Sequence, residues 1–187
     1  MKALDQKHLP HAQTAAKANG ANMPVLLSGS CRCGAVRFSA ISQTPVPYQR
    51  CYCSICRKTA GGGGYAINIG AQTHSLKIKA ADGVMGSFQA EIKQADGHCK
   101  LSTAERKYCK QCATALWLFS PEWPELIHPF ASAIDTDLQI PPSTVHMMLR
   151  FKPAWVVPQF GEGDARFDLY PDQSLEDWHR GHGLWAE

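Results

Sequence analysis

The alternation of apolar and polar residues predicts a chain built mainly from short β-strands. Residues 35–40, 65–69 and 75–79 alternate between the two classes, as strands do when one face is buried and the other meets solvent. Residues 115–119 form a continuous apolar run, and residues 146–151 form another largely apolar segment that we also predict as a strand. Glycine and proline separate these segments, so we expect a mainly antiparallel β domain.

Helical patterns are few and short. One helical turn is predicted over residues 54–59, and a second short helix is predicted to begin after Ser174. Ser174 can act as the N-cap of that helix, because Asp177 stands three residues later, where its carboxylate can bond back to the cap. Trp117 and Phe119 lie in the continuous apolar run and are predicted to be core residues.

The chain divides into three parts on this pattern. Residues 1–24 are polar and lack a steady period, so we predict a loosely ordered extension. Residues 25–160 are predicted to form one zinc-binding domain, and residues 161–187 a C-terminal tail packed on it. The first residues lack the apolar core of a secretory signal, and no run reaches the length of about 18 apolar residues needed to span a bilayer. We therefore expect a cytoplasmic protein without a membrane partner.

Four histidines stand near the ends of the chain and are not expected to bind a metal. His8 and His11 have a ligand-like spacing but belong to the predicted extension, where solvation is the simpler interpretation. His179 and His182 are predicted to be surface residues rather than ligands.

The charge of the chain is small in total but unevenly distributed. The formal net charge is +3, too small to indicate a nucleic-acid partner. Residues 1–110 hold 15 Lys and Arg against 5 Asp and Glu, whereas residues 111–187 hold 4 against 11. Two compatible interpretations stay open: the cations offset metal-bound thiolates, or they collect a small anionic substrate. The sequence leaves the oligomeric state open.

The cysteines occur in three clusters whose spacing is typical of metal ligands. The eight are Cys31, Cys33, Cys51, Cys53, Cys56, Cys99, Cys109 and Cys112. Disulfides are disfavoured because the chain shows no export signal and is large enough to fold without covalent links. A single C-x-x-C could be a redox motif, but the βαβ context that such a motif needs is missing.

The clusters divide into one closed site and one open site. Two pairs, Cys31 with Cys33 and Cys109 with Cys112, supply the four sulfurs of a structural zinc site. The triplet of Cys51, Cys53 and Cys56 would then hold a second zinc ion and leave its fourth position open for chemistry. Three thiolates leave the metal more electrophilic than four do, so a substrate thiol bound there should lose its proton.

One cysteine is left outside this division. Cys99 is expected to be a free thiol. The alternative is that Cys99 or its neighbour His98 supplies the fourth ligand of the triplet, which would close that site and remove the enzyme hypothesis.

Three motifs in order resemble one known family. They are Gly29–Phe38 (G-S-C-R-C-G-A-V-R-F), Cys51–Lys58 (C-Y-C-S-I-C-R-K) and Tyr108–Cys112 (Y-C-K-Q-C). Together they resemble the glutathione-dependent formaldehyde-activating enzyme family, which includes centromere protein V, over about residues 25–157. The resemblance implies a β-tent type fold around two zinc ions, the same division of the cysteines, and condensation of formaldehyde with glutathione to S-(hydroxymethyl)glutathione.

The chain departs from the pattern of that family at two positions. Ala113 follows the last cysteine, where the family usually has glycine. Tyr52 stands between the first two cysteines of the triplet, where the family often has histidine. We predict that Tyr52 is a packing residue, although its hydroxyl could reach the open position.

The residues after the triplet are the candidates for binding substrate. Arg57 and Lys58 could pair with the carboxylates of glutathione. Gly62 and Gly63 belong to a run of four glycines whose N–H groups could approach an anion. Solvated charges and a flexible turn are the alternatives for these two features. Two other functions stay open for the whole chain, namely a non-catalytic zinc-binding interaction domain and an open zinc site that acts on another thiol.

Overall fold

The computed structural model describes residues 22–187, so most of the predicted extension, including His8 and His11, lies outside the described residues. The strands in the described part are β1 Val25–Ser30, β2 Val36–Ser42, β3 Gln49–Cys51, β4 Ala66–Ile67, β5 Ala71–Gln72, β6 Lys77–Ala80, β7 Met85–Lys93, β8 Cys99–Cys109, β9 Ala115–Phe119, β10 Leu126–Pro129, β11 Val145–Met147 and β12 Ala165–Arg166. The helices are α1 Ser54–Thr59 and α2 Leu175–Gly181, with 3₁₀ turns at Thr73–Ser75, Ala131–Ala133 and Leu149–Phe151.

The strands form three small sheets. Their orders are β1-β2-β6, β5-β10-β9-β8-β7 and β12-β11-β3-β4. The first two sheets are antiparallel throughout, and the third is mixed because β11 runs parallel to both β3 and β12. The predicted mainly β fold with small antiparallel sheets is confirmed, and the parallel pairs are an addition to it.

The predicted strands agree with the strands of the structure to different degrees. Residues 115–119 coincide with β9, which lies between two other strands of its sheet. The predicted strand over residues 65–69 is reduced to a two-residue strand at 66–67. The predicted strand over residues 75–79 begins two residues late, because a 3₁₀ turn occupies its start.

The prediction of a strand over the whole of residues 146–151 is wrong. The strand ends at Met147, and Met148 adopts a left-handed conformation with φ 61°. The Met148 N–H donates to the Leu169 carbonyl at 2.9 Å, and the chain continues into a 3₁₀ turn. The apolar run over residues 146–151 does not indicate this turn, because the carbonyl that stabilises it belongs to the distant Leu169.

Two hydrophobic clusters each contain cysteines. The first packs Leu27, Val36, Phe38, Leu116 and Trp117 around Cys31 and Cys109, with Phe119 half-buried beside them. The second packs Ala66, Phe130 and Met147 around Cys51 and Cys56. Both cysteine groups are therefore built into the core.

A third cluster joins the C-terminal segment to the sheets. The ring of Trp178 in α2 stacks on that of Tyr48 with centroids 3.7 Å apart. The predicted start of α2 is confirmed, since Ser174 and Asp177 form a capping box. No helix among residues 22–187 is long and apolar enough to cross a membrane.

The prediction that His179 lies at the surface is wrong. Its side chain is fully buried, with Nε2 accepting the Val46 N–H at 3.2 Å and Nδ1 donating to the Leu175 carbonyl at 2.7 Å. Burial is tolerated because both ring nitrogens have partners. His182 is exposed.

We predict that Trp178→Ala lowers the free energy of unfolding by about 3–5 kcal/mol, because it empties a buried, stacked aromatic site. Denaturant unfolding of the metal-loaded protein measures the loss. Trp155→Ala is the matched control, since Trp155 is 69% exposed and its loss should cost less than about 0.5 kcal/mol. Equal losses in both variants would contradict the assigned role of Trp178.

Candidate functional site

The first candidate site is a group of four sulfurs drawn from two distant turns. The Sγ atoms of Cys31, Cys33, Cys109 and Cys112 all lie within 4.8 Å of one another. Cys33 Sγ is 3.4 Å from Cys31 Sγ and 3.8 Å from Cys109 Sγ. Tetrahedral zinc with bonds of about 2.3 Å separates its sulfurs by about 3.8 Å. The spacing and the soft donors therefore fit a closed zinc site.

Local backbone bonds aim these sulfurs. The Val36 N–H donates to Cys31 Sγ at 3.2 Å, and the Ala113 N–H donates to the Cys109 carbonyl at 2.8 Å. The Thr114 hydroxyl and backbone N–H lower the pKa of Cys112 to about 5. Donors that favour the thiolate favour metal binding as well, because zinc binds the deprotonated form.

The second candidate site is the triplet. Cys51 ends β3, Cys53 is the N-cap of α1, and Cys56 lies in its first turn. Their sulfurs also lie within 4.8 Å of one another. The C-x-x-C spacing works here because Cys53 Sγ accepts the Cys56 N–H at 3.3 Å, which turns both side chains to one side.

The three thiols shift one another's pKa values through hydrogen bonds. Hydrogen bonds from Cys51 and Cys56 lower the pKa of Cys53, and the same contact with Cys53 contributes most to a raised pKa of Cys51. One thiolate is thus already favoured within the group. Cys51 and Cys56 are buried and Cys53 is half-buried, so a metal here would be largely screened from solvent.

No further His, Cys, Asp or Glu joins either group within residues 22–187. Cys99 begins β8 and is exposed, and His98 beside it is exposed as well. The alternative in which one of these two closes the triplet is therefore wrong. The described part of the chain brings three sulfurs to this point and no fourth donor of these types.

A cavity of about 660 Å³ is lined by residues beside the four-cysteine group and by the second half of α1. Cys31 lines one side, while Ala60 and Ala115 line the cavity and also pack on the second cluster. The cavity therefore lies close to the second cluster, although none of Cys51, Cys53 and Cys56 lines it.

The charged lining of the cavity is mostly positive. Arg32, Arg57 and Lys58 line the cavity, and Asp135 is the acidic residue of its lining. The Nε atom of Arg57 is buried and has no hydrogen-bond partner among the residues that the structure describes. Guanidinium and ammonium groups that line a cavity can donate charge-assisted hydrogen bonds to an anionic ligand.

Only part of the run of four glycines lines this cavity. Gly61 and Gly62 line it, whereas Gly63 does not. A Cβ on Gly61 would lie 2.1 Å from the Tyr65 carbonyl oxygen, so this position requires glycine. The structure thus places Arg57, Lys58 and Gly62 at one cavity and leaves Gly63 outside it.

Arg106 belongs to the surroundings of the triplet, although no sequence pattern marks it. This side chain is 7% exposed, forms no ion pair within the described residues, and leaves its Nε without a partner. It pairs across the sheet with Leu118, which packs on the second cluster. The balance of the neighbouring thiols and burial raises the pKa of Cys56 to about 11, and the charge of Arg106 acts against this rise.

The sequence analysis also missed the surroundings of Tyr52. The side chain is buried, as predicted for a packing residue, but its hydroxyl lies 2.8 Å from Nδ1 of the buried His146. The other ring nitrogen of His146 is near Asp164. No sequence pattern marks these residues, because the contacts span 94 and 18 positions.

Comparison with known proteins decides the family. The family model described as "Glutathione-dependent formaldehyde-activating enzyme" matches residues 26–150, more than half of the chain. The chain belongs to this family. A Halomonas elongata relative named "Putative glutathione-dependent formaldehyde-activating enzyme" is 54% identical over 160 residues, covering 86% of this chain and 98% of the relative. The family match ends before Asp164 and α2.

Solved structures also match. One of them is a crystal structure of a Rhodobacter sphaeroides protein, with 21% identity and a TM-score of 0.42. The alignment covers 59% of this chain and 89% of that protein.

We predict that Ala113→Gly raises the free energy of unfolding by about 1 kcal/mol. Ala113 has φ 59°, a conformation in which a Cβ crowds the following carbonyl and glycine does not. Denaturant unfolding at fixed zinc concentration measures the gain.

Ala81→Gly is the matched control, because Ala81 is exposed and does not have a positive φ. There the added freedom of the unfolded chain should lower stability by about 0.4–1 kcal/mol. A loss of stability in the Ala113 variant would contradict the strain argument.

Proposed function

We propose that the chain catalyses the reversible addition of glutathione to formaldehyde, giving S-(hydroxymethyl)glutathione, at a zinc ion held by Cys51, Cys53 and Cys56. The observation that carries this proposal is the convergence of three sulfurs without a fourth His, Cys, Asp or Glu ligand among residues 22–187, close to a cavity with a positive lining. Family membership and the name of the Halomonas relative support the choice of substrates. The reaction is that of a carbon–sulfur lyase when it runs toward dissociation.

We propose a structural zinc ion at the other four cysteines. The four sulfurs lie within 4.8 Å of one another and are enough to fill the four positions of a zinc ion, as in sites that stabilise folds rather than do chemistry. They link the turn after β1 to the turn after β8. The expected content is therefore two zinc ions per chain.

The reaction conserves atoms and electrons. A bond forms between the thiol sulfur and the formaldehyde carbon, the carbonyl π bond opens, and the thiol proton ends on the oxygen. Zinc at the triplet would supply the acidity that keeps a bound substrate thiol deprotonated near neutral pH. The reverse direction breaks the same carbon–sulfur bond.

The chain itself supplies charge balance and exclusion of water. Three thiolates around one divalent ion leave a single negative charge. The buried guanidinium of Arg106 is placed to offset that charge. Burial of Cys51 and Cys56 keeps bulk water from the reacting groups, where electrostatic effects are stronger than in solution.

The cavity has the size and charge for glutathione. Its volume lies within the range of about 300–1,000 Å³ typical of small-molecule sites. Arg57 and Arg32 can each hold a carboxylate through paired N–H groups, and Lys58 adds a third positive charge. The backbone at Gly62 is open to a ligand, since no atom lies within 4 Å of the space above it.

We also propose the cytoplasm as the place of action. All eight cysteines are free, as a reducing compartment would keep them. Glutathione is the main thiol of such a compartment.

We predict that the metal-loaded protein accelerates the exchange between formaldehyde and glutathione, and that Cys56→Ser abolishes the acceleration while the fold is kept. Exchange NMR measures the rate, and circular dichroism reports the fold. Cys109→Ser is the comparison variant, because loss of the closed site should destabilise the whole domain. No acceleration by micromolar wild-type protein would sink the proposed reaction.

We predict that Arg57→Gln raises KM for glutathione at least tenfold and changes kcat much less. The reason is that a charged hydrogen bond to a carboxylate contributes about 1.5–3 kcal/mol, and 1.4 kcal/mol corresponds to a factor of ten. Steady-state kinetics with varied glutathione checks this.

Lys93→Gln is the control for lost charge, because Lys93 ends β7 and is exposed. Its KM should equal that of the wild type. If both variants raise KM alike, the effect is one of overall charge and the cavity is not the glutathione site.

A further inference from the structure

We infer that Asp164, His146 and Tyr52 form a positioning relay that holds two of the three triplet sulfurs in place for the metal. The inference rests on the proposed function only in assuming that the triplet binds a metal. It assigns no contact with substrate to these three residues, so they are positioning residues and not catalytic ones.

The relay is a continuous chain of hydrogen bonds through buried side chains. The Tyr52 hydroxyl lies 2.8 Å from His146 Nδ1, and His146 Nε2 lies 3.2 Å from Asp164 Oδ2. Tyr52 is 1% exposed and His146 is fully buried. The side chain of Asp164 is 8% exposed, so solvent competes little for any of these bonds.

The partners fix the tautomer of His146. Nε2 also lies 3.0 Å from the Thr144 hydroxyl, which can donate or accept a hydrogen bond. The ionised Asp164 carboxylate can only accept, so Nε2 carries the proton and points it at these two oxygens. Burial lowers the pKa of His146, so the ring is neutral and Nδ1 is an acceptor. The Tyr52 hydroxyl must therefore donate to Nδ1, which fixes the direction of both bonds.

Asp164 is held rigidly at the far end of the relay. Its carboxylate accepts the Thr144 N–H at 2.7 Å and the Gly161 N–H at 2.9 Å. The Phe160 ring covers His146 with centroids 4.8 Å apart. The anchor thus comes from residues 160–164, which lie beyond the family match at 26–150.

Tyr52 transmits this anchoring to the sulfurs because it stands between Cys51 and Cys53. Its N–H donates to the Met147 carbonyl at 3.0 Å, so its backbone and its side chain are both fixed to β11. In extended backbone, neighbouring side chains point to opposite faces. Fixing the ring of Tyr52 on one side therefore fixes where Cys51 and Cys53 point on the other.

A three-sulfur site needs this support more than a four-sulfur site does. Fewer protein bonds to the metal define its geometry, and a loose triplet would lose affinity first. Groups that orient metal ligands from behind typically contribute 10–100-fold in metal affinity. The relay is placed to supply that orientation at the triplet only.

The test is the zinc affinity of Tyr52→Phe, measured by chelator competition that resolves the two sites. We expect the triplet to lose at least tenfold in affinity and the four-cysteine site to keep its own. Cobalt substitution gives an independent readout, because the visible absorption of the three-sulfur site should change while that of the four-sulfur site stays constant.

Tyr48→Phe is the matched control. Tyr48 is equally buried, at 2% exposure, and its hydroxyl makes no hydrogen bond to another residue in the described part of the chain. This variant should keep both affinities and the cobalt spectrum. Asp164→Asn provides a second test that does not alter the triplet segment, and it should weaken the triplet in the same direction.

Three results would overturn the relay. They are wild-type triplet affinity in both the Tyr52 and Asp164 variants, equal losses at both metal sites, or ¹⁵N NMR showing His146 protonated at Nδ1 instead of Nε2. These outcomes are separate from the proposed reaction. Tight zinc binding by the wild type without formaldehyde exchange would contradict the proposed function but not the relay.

Discussion

The sulfurs of Cys33 and Cys109 approach to 3.8 Å although 76 positions separate them in the chain. Thiolates at this distance repel one another unless a cation lies between them. A metal at the four-cysteine group would convert that repulsion into a cross-link between the turn after β1 and the turn after β8. Because the unfolded chain has no preformed site, the free energy of metal binding becomes free energy of folding. The first hydrophobic cluster contains Cys31 and Cys109, so this link would act directly on the core.

The triplet differs from the four-cysteine group in what defines its geometry. Cys53 and Cys56 are aimed by the start of α1, and Cys51 by the end of β3. The rest of the definition comes from packing against Phe130 and Met147 and from the bonds behind Tyr52. At the proposed zinc site, the surrounding protein would therefore maintain the open coordination position, and the buried Arg106 and His146 are part of that surrounding.

The sequence indicated the parts of this arrangement that rest on local spacing. Cysteine motifs bring their own sulfurs together within one turn, so the two pairs and the triplet could be expected from spacing. Joining the two pairs into one group of four followed from the four ligands that zinc requires. The β9 run and the Ser174 cap are likewise local features, and both occur as predicted. The fold class follows from the many short alternating segments.

Long-range contacts account for what sequence reasoning could not reach. The parallel pairing of β11 with β3 and β12 joins segments that no short pattern relates. His179 resembles a solvated surface residue until Val46 is placed beside it. Arg106 stands in a strand where charged side chains normally meet solvent, and only the packing of Leu118 and the triplet explains its burial.

The most direct test of the account is X-ray diffraction of the zinc-loaded protein at the zinc absorption edge. The account predicts two anomalous peaks per chain, one surrounded by four cysteine sulfurs and the other by Cys51, Cys53 and Cys56 with a fourth ligand from outside the chain. A fourth protein side chain on the second ion, or a single zinc ion per chain, would contradict it.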